Sequence, residues 1–102
     1  MFIKIKGKGL IKIDTKKVAY LKADNDYVVM HLIDEDDIRV RMTLKEVEDL
    51  IEEDYFYRVH RSFLVNLNYV SHIKSNIILL KDAEIPISRA KRKDLIEALT
   101  SF

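Results

Sequence analysis

The sequence predicts a mainly β fold, in the β-rich α+β class, with two short helices. Three observations lead to this prediction. Apolar residues alternate with polar ones in many short runs, polar turns separate these runs, and apolar residues recur at helical spacing in only two stretches. The length of 102 residues is typical of one domain, so we expect a single domain over residues 1–102.

The predicted strands are apolar or alternating runs bounded by turn-forming residues: 2–6, 10–13, 18–21, 27–32, 38–42, 77–80 and 84–87. The turns lie at residues 7–9, where both glycines of the chain occur, at 24–26, at the acidic residues 34–37, and at Lys81 and Asp82. Pro86 has no N–H to donate to a neighbouring strand, so the last predicted strand lies at the edge of a sheet.

The two helices follow distinct start signals. Thr43 and Glu46 have the spacing of a capping box, and Leu44, Val47, Leu50 and Ile51 follow at helical spacing, which predicts an acidic helix over residues 44–54. Ser88 begins the second helix, whose buried positions are predicted to be Leu95, Ile96, Ala98 and Leu99.

Charge is unevenly distributed, although the net charge is only +1. Residues 1–33 carry seven basic and three acidic groups, residues 34–54 carry three and ten, and residues 55–93 carry eight and two. Two basic regions therefore flank an acidic middle. This asymmetry fits a surface that faces a polyanion, and it fits scattered solvated charge equally well.

Composition and spacing argue against several classes of protein. Without cysteine, the chain forms no disulfide and no thiolate site, and no apolar run is long enough for a signal peptide or a membrane span. We therefore expect a cytoplasmic protein without membrane contact. His31, His60 and His72 lack metal-ligand spacing, and no phosphate-binding loop or nucleophile elbow is present. The expectation is a non-enzyme without metal or cofactor.

Residues 56–67 place cationic and polar side chains among apolar ones, with no acid between them. The guanidinium groups of Arg58 and Arg61 can pair bidentately with phosphate or with a guanine edge. The carboxylates nearest to them in sequence belong to the acidic helix. His60 fits a structural role and a DNA contact equally. Asn66 can bind an adenine edge, but the favoured interpretation is a side chain that stabilises its own turn.

Cations crowd the predicted start of the second helix. Arg89, Lys91, Arg92 and Lys93 fall within its first two turns, where the helix dipole favours anions. Such cations destabilise the helix, but together with the free N–H groups they form a site for phosphate.

Four segments of the chain, in this order and spacing, resemble the LytTR-type DNA-binding domain from about residue 10 to residue 102: YLKADNDY at 20–27, RMTLKE at 41–46, RVHRSFLVN at 58–66 and IPISR at 85–89. The resemblance implies an elongated arrangement of small antiparallel sheets with two short helices. It also implies sequence-specific binding of double-stranded DNA by loops that enter major grooves, at paired direct repeats, in a bacterial transcriptional regulator of the response-regulator type. A homodimer on DNA fits this expectation. No receiver domain precedes the motifs in this sequence, so the chain is expected to be either an excised domain or a free-standing member.

The resemblance also assigns residues to DNA. Base-reading positions correspond to Arg61, to Arg89, and to the turn for which Asp26, Tyr27 and Val28 are the nearest matches. The residues expected to contact phosphate are Arg58, His60, Ser62, Ser88, Lys91, Arg92 and Lys93.

Two other functions compete with this interpretation. The same fold can act as a stand-alone interaction protein that modulates another regulator, with the acidic helix as its partner surface. Binding of RNA or single-stranded DNA requires exposed aromatic residues on the basic face, for which Tyr55, Tyr57 and Phe63 are the available side chains.

Overall fold

The computed structural model describes residues 1–80 and 82–102, and these form ten strands, two α-helices and two short 3₁₀ turns. The strands are β1 Phe2–Ile5, β2 Gly9–Lys12, β3 Val18–Asp24, β4 Tyr27–Leu32, β5 Ile38–Val40, β6 Phe56–His60, β7 Phe63–Asn66, β8 His72–Lys74, β9 Ile77–Leu80 and β10 Ala83–Pro86. The α-helices are α1 Leu44–Leu50 and α2 Arg89–Thr100. The molecule measures 41 × 24 × 24 Å, so the expectation of an elongated, β-rich fold is confirmed.

Three antiparallel sheets make up the fold. A central sheet has the strand order β5-β4-β3-β7-β6, a second sheet has the order β10-β9-β8, and β1 pairs with β2 in a separate hairpin. The central strand β3 joins the two halves of the central sheet, because it pairs with β4 on one side and with β7, far along the chain, on the other.

The central sheet lies between two hydrophobic cores. The first core contains residues of β1, β3, β4, α1 and β7, and the second contains residues of β6, β7, β9, β10 and α2. Successive side chains of a strand point to opposite faces, so Leu64 enters the first core and Val65 the second. Both residues are fully buried, which explains why β7 shows no alternation of apolar and polar residues.

Helix α1 begins as predicted and ends earlier than predicted. The Thr43 hydroxyl accepts a hydrogen bond from the Glu46 N–H at 3.1 Å, and the Glu46 carboxylate accepts from the Thr43 N–H at 2.9 Å. The helix ends at Leu50, so the predicted extension to residue 54 is wrong. Leu50 itself is 45% exposed. Carboxylates in and after its last turn oppose the helix dipole there, and no basic residue in that turn offsets them.

The predicted hairpin turns are present where the structure describes them. Gly7 and Gly9 connect β1 to β2 with φ of 83° and 76°, and Asn25 adopts φ of 54° between β3 and β4. Pro86 lies in the edge strand of its sheet, as predicted. Strand β10 pairs with β9; the predicted turn between them includes Lys81, which lies outside the described residues. Strands β6, β7 and β8 are not among the predicted strands.

Within the described part of the chain, none of the helices is long and apolar enough to cross a membrane.

Candidate nucleic-acid interface

One end of the central sheet gathers two of the segments that carry candidate DNA contacts. The pairs Asp24↔Tyr27 and Lys22↔Phe63 put the turn between β3 and β4 beside the turn between β6 and β7. The Ala23 N–H donates to the Ser62 carbonyl at 2.9 Å and joins them directly. We call this end, with residues 25–27, 41, 60–62 and 88–89, the turn end of the sheet.

Helix α2 starts at the same place. The Ser88 N–H donates to the carbonyl of Val59 in β6 at 2.9 Å, which positions Arg89 beside the β6–β7 turn. The register of β6 on β7 shifts between Arg58 and His60, so Val59 is an extra residue on its strand. This bulge directs the Val59 carbonyl toward the helix. Two main-chain hydrogen bonds therefore hold three separate segments at the turn end.

Arg61 and Arg89 project from the turn end without intramolecular partners. Both residues are exposed, and neither guanidinium makes a hydrogen bond or an ion pair with any residue that the structure describes. The Ser88 hydroxyl makes no hydrogen bond to the first turn of α2, although Ser88 is the N-cap residue as predicted. These groups are free to meet a ligand.

Arg58, in contrast, is fully engaged within the protein. Its Nε donates to the His60 carbonyl at 3.0 Å, one terminal nitrogen donates to the Arg61 carbonyl at 2.6 Å, and the other donates to the Glu48 carboxylate of α1 at 3.1 Å. Its side chain is only 24% exposed. The acidic helix thus supplies one of three internal partners of Arg58, and the predicted phosphate contact at Arg58 stays a prediction.

His60 and Ser62 shape the turn that they flank. The Ser62 N–H donates to Nδ1 of His60 at 3.0 Å, and the half-buried imidazole packs edge-on against Phe63 with 5.8 Å between ring centroids. Because Nδ1 accepts, the neutral ring carries its proton on Nε2. His60 thus has a structural role through Nδ1 and keeps one N–H donor for a ligand.

Asn66 lies away from the turn end and is fully buried. Its Nδ2 donates to the Val18 carbonyl at 3.0 Å, and its Oδ1 accepts from the Asn68 N–H at 2.9 Å. The side chain caps the 3₁₀ turn after β7 and ties it to β3.

The β3–β4 turn exposes one of its three predicted base-reading residues and covers another. Asp26 is exposed, and Tyr27 is half-buried beneath the guanidinium of Arg39, which lies 4.5 Å from the ring centroid. Val28 has no exposed surface, because the alternation of β4 points it into the first core. The prediction of a base contact by the Val28 side chain is therefore wrong.

The cations of α2 divide into free and engaged groups. Lys91 and Lys93 are exposed and have no hydrogen bond or ion pair with the described residues. Arg92 is half-buried, and its Nε donates to the Ser75 carbonyl in the β8–β9 turn at 2.9 Å. Packing of α2 beside that turn gives Nε an internal acceptor, and the predicted phosphate contact at Arg92 stays a prediction.

Comparison with known proteins decides the family. A family model described as the LytTr DNA-binding domain matches residues 8–100. The chain belongs to the LytTR DNA-binding domain family. The resemblance noted in the four sequence segments is thereby confirmed.

Individual relatives agree with this assignment. The sensory transduction protein LytT of Oceanobacillus iheyensis is 32% identical in an alignment of 98 residues that covers 88% of this chain and 40% of that protein. LytT of Bacillus subtilis is 31% identical in an alignment of 99 residues that covers 91% of this chain and 41% of that protein. The chain thus spans about two-fifths of the length of these relatives. The solved LytTr DNA-binding domain of a response regulator from Bacillus cereus matches 99% of this chain and 97% of that one, with a TM-score of 0.76 and 26% identity.

The turn end of this LytTR domain includes a cation that the sequence analysis missed. Val40 pairs with Val28, so β5 ends at the turn end and Arg41 follows it there, exposed, 6.0 Å from the ring of Tyr27. Like Arg61, Arg41 has no ion pair within the described residues. The sequence signal for Arg41 is the alternation of β5. It places Arg39 and Arg41 on the same face of the strand, away from the core.

Acidic groups concentrate at the opposite end of the central sheet. The Met30↔Ile38 pair puts the acidic turn of residues 34–37 there, and Lys17 forms an ion pair with Glu35 at 3.4 Å. The LytTR domain is therefore polarised along its strands, with free arginines at one end and the acidic turn at the other. This arrangement favours approach of a polyanion by the turn end.

A tyrosine with a raised pKa lies outside the turn end. Tyr20 stacks on His31 with 4.2 Å between ring centroids, and His31 Nδ1 lies 3.1 Å from the Asp37 carboxylate. Burial, followed by the nearby Asp37 charge, raises the pKa of Tyr20 above its ordinary value. Among the described residues, no His, Asp and Glu side chains cluster in a way that would hold a metal ion.

Proposed function

We propose that this LytTR domain binds double-stranded DNA in a sequence-specific manner and regulates transcription in a bacterial cytoplasm. One observation carries the proposal: two main-chain hydrogen bonds hold the exposed, unpaired Arg61 and Arg89 together at one end of the sheet. Arginines presented in this way can bond bidentately to guanine in the major groove. The family is a DNA-binding one and not a catalytic one, which agrees with this function.

The proposed contacts divide into two groups. Arg61 and Arg89 contact base edges, and Asp26 with Tyr27 contacts the adjoining bases from the β3–β4 turn. Phosphate oxygens are bound by the groups that remain free near these residues: Nε2 of His60, the hydroxyls of Ser62 and Ser88, Arg41, Lys91 and Lys93. Phosphate contacts fix the position of a protein on the duplex, and base contacts supply its sequence preference.

The decisive experiment begins with selection of bound sequences from random double-stranded DNA, followed by titration of the selected site at several salt concentrations. With roughly four to six phosphate contacts, the slope of log K against log salt is expected to be about −4 to −5. A slope near zero, or no duplex binding at low salt, contradicts the proposal.

Substitutions then test the two arginines. Arg61→Ala and Arg89→Ala are each expected to weaken binding to the selected site by about 1–3 kcal/mol and to weaken binding to random DNA far less. Lys17→Ala is the control, because it removes one exposed cation from the opposite end of the sheet. Equal losses on both DNAs would assign the arginines to phosphate instead of to bases.

We further propose that two copies occupy paired direct repeats. A single module buries only about 600–1,000 Å² on DNA, so one half-site is expected to bind weakly. Two repeats in the correct spacing should be occupied together and more tightly than either alone. Nanomolar binding to one repeat at physiological salt would contradict this part of the proposal.

No contact in the structure favours the two competing functions. On the acidic helix, Glu48 binds Arg58 and Asp49 binds Lys45, so both carboxylates have partners within the chain. Tyr55, Tyr57 and Phe63, the residues needed for stacking on single strands, are all half-buried.

A further inference from the structure

We propose that Arg58 is a positioning residue that sets the conformation of the Arg61–Ser62 turn, and that Glu48 of α1 holds Arg58 in place. The inference rests on the proposed DNA-binding function and adds a specificity-determining pair to it. Neither residue needs to touch DNA. Their effect on DNA recognition passes through the main chain of the turn that carries Arg61.

The geometry of Arg58 supports this role. The guanidinium spans the turn with one hydrogen bond to the His60 carbonyl at 3.0 Å and another to the Arg61 carbonyl at 2.6 Å. Both acceptors belong to the peptide units that enter and leave Arg61, so they fix the direction in which its side chain projects. The planar fork of an arginine can satisfy two carbonyls at once, whereas a lysine ammonium offers a single point of charge on a flexible chain.

The β6 bulge makes such support necessary. Because Val59 is an extra residue on its strand, the regular pairing of β6 with β7 is interrupted immediately before the turn. Three contacts replace it there: the Arg58 fork, the His60–Ser62 hydrogen bond and the bond from Ser88 to Val59. Of these three, only the Arg58 fork bonds to Arg61 itself.

Glu48 of α1 is the third partner of the Arg58 guanidinium. Its carboxylate accepts from Arg58 at 3.1 Å, and both side chains are largely shielded, with 35% and 24% exposure. A partly shielded ion pair of this kind is screened less by salt than an exposed one. Helix α1 thereby gains a direct connection to the turn end, although its own carboxylates would repel DNA phosphates. Neutralising Glu48 frees the guanidinium to leave the turn and reach for phosphate.

The test compares Arg58→Lys, Glu48→Gln and the control Asp49→Asn. Asp49 lies on the same helix, and its replacement also removes one negative charge, but its ion pair is with exposed Lys45 and not with Arg58. For each variant, affinity is measured on the selected DNA site and on random DNA, and the specificity ratio is the quotient of the two. Circular dichroism establishes that each variant is folded at the temperature of the titration.

We expect the specificity ratio to fall by roughly 5- to 100-fold in Arg58→Lys, up to the full discrimination of a bidentate arginine contact. Glu48→Gln should lower the ratio to a smaller extent and leave affinity for random DNA unchanged or higher. Asp49→Asn should leave the ratio at its wild-type value. The comparison remains decisive if Arg58→Lys fails to fold, because Glu48→Gln leaves the Arg58 side chain itself unchanged and removes only the carboxylate that holds it.

A second measurement separates positioning from direct contact. In an Arg61→Ala background, Arg58→Lys should cause no further loss of specificity, because the side chain that Arg58 positions is absent. If Arg58 binds phosphate itself, Arg58→Gln reduces the salt slope on random DNA by about 0.9 in magnitude. An unchanged salt slope is expected.

Four outcomes would overturn the inference: a wild-type specificity ratio in Arg58→Lys, equal effects of Glu48→Gln and Asp49→Asn, additive losses in the Arg58 and Arg61 double variant, or a salt slope reduced by about 0.9 in Arg58→Gln. Each leaves the proposed function standing, provided that the wild-type protein binds the selected site. If the wild-type protein binds no duplex, the proposed function fails, and the inference fails with it.

Discussion

Replacing Lys91 and Arg92 individually by glutamine should change stability in opposite directions. Each substitution removes one positive charge from the start of α2. The two side chains differ in their contacts: Lys91 is exposed without a partner, and Arg92 donates to the Ser75 carbonyl at 2.9 Å.

The magnitudes follow from these contacts. A cation at the N-terminus of a helix opposes the dipole by about 0.3–0.5 kcal/mol, so Lys91→Gln should raise the free energy of unfolding by that amount. Arg92→Gln should lower it by about 1 kcal/mol, because loss of a half-exposed hydrogen bond from a charged donor costs about 1.5 kcal/mol, and removal of the cation from the start of the helix offsets about 0.3–0.5 kcal/mol of that. For a domain of this size, 1 kcal/mol corresponds to a Tm shift of about 4–8 °C.

Thermal melts followed by circular dichroism measure the stability, and titrations of random DNA at several salt concentrations measure the phosphate contacts. Lys91→Gln should reduce the salt slope by about 0.9 in magnitude, and Arg92→Gln should leave it near the wild-type value. The reasoning would be refuted by stability changes of the same sign, or by a larger loss of slope in Arg92→Gln than in Lys91→Gln.

Four further predictions concern the scaffold. Asn66→Ala should lower the free energy of unfolding by about 2–3 kcal/mol in chemical denaturation, because the buried Val18 carbonyl and the partly buried Asn68 N–H lose their partner. A loss no larger than that caused by replacing an exposed asparagine would contradict this prediction. Thr43→Ala should raise the pKa of Glu46 only in part, measured by NMR titration, because the hydrogen bond from the main-chain N–H of residue 43, the larger cause that holds this pKa below its ordinary value, remains. Stability should fall as pH rises above 10.0, the ordinary pKa of tyrosine, because the unfolded chain releases the Tyr20 proton first and the folded chain keeps it to a higher pH. Asp37→Asn should lower the pKa of Tyr20 only in part, as followed by ultraviolet absorbance, because burial is the larger cause.

Local signals predicted the elements that depend on neighbouring residues. The Thr43 capping box, the hairpin at Asn25 and the start of α2 at Ser88 all arise within a few residues of chain, and the structure contains them. The burial of Val28 could also be predicted from the sequence, because Val28 and Met30 share one face of an alternating run.

The partners of the arginines could not be predicted from local sequence in the same way. Arg58 meets Glu48 only after β6 has paired with β7 and α1 has packed beside them. Arg92 finds the Ser75 carbonyl because two sheets and a helix come together around the second core. No local pattern distinguishes these two arginines from Arg61 and Arg89, which remain free. Tertiary packing alone decides which cations are available to a ligand.

The two bonds that assemble the turn end, from Ala23 to Ser62 and from Ser88 to Val59, connect only main-chain atoms. Neither bond uses a side-chain atom. Exchange of the exposed side chains at positions 26, 61 and 89 therefore leaves both bonds in place, while it alters the donors and acceptors that the turns present. On the proposed function, three side-chain replacements at these positions should change the sequence preference without any compensating change in the core.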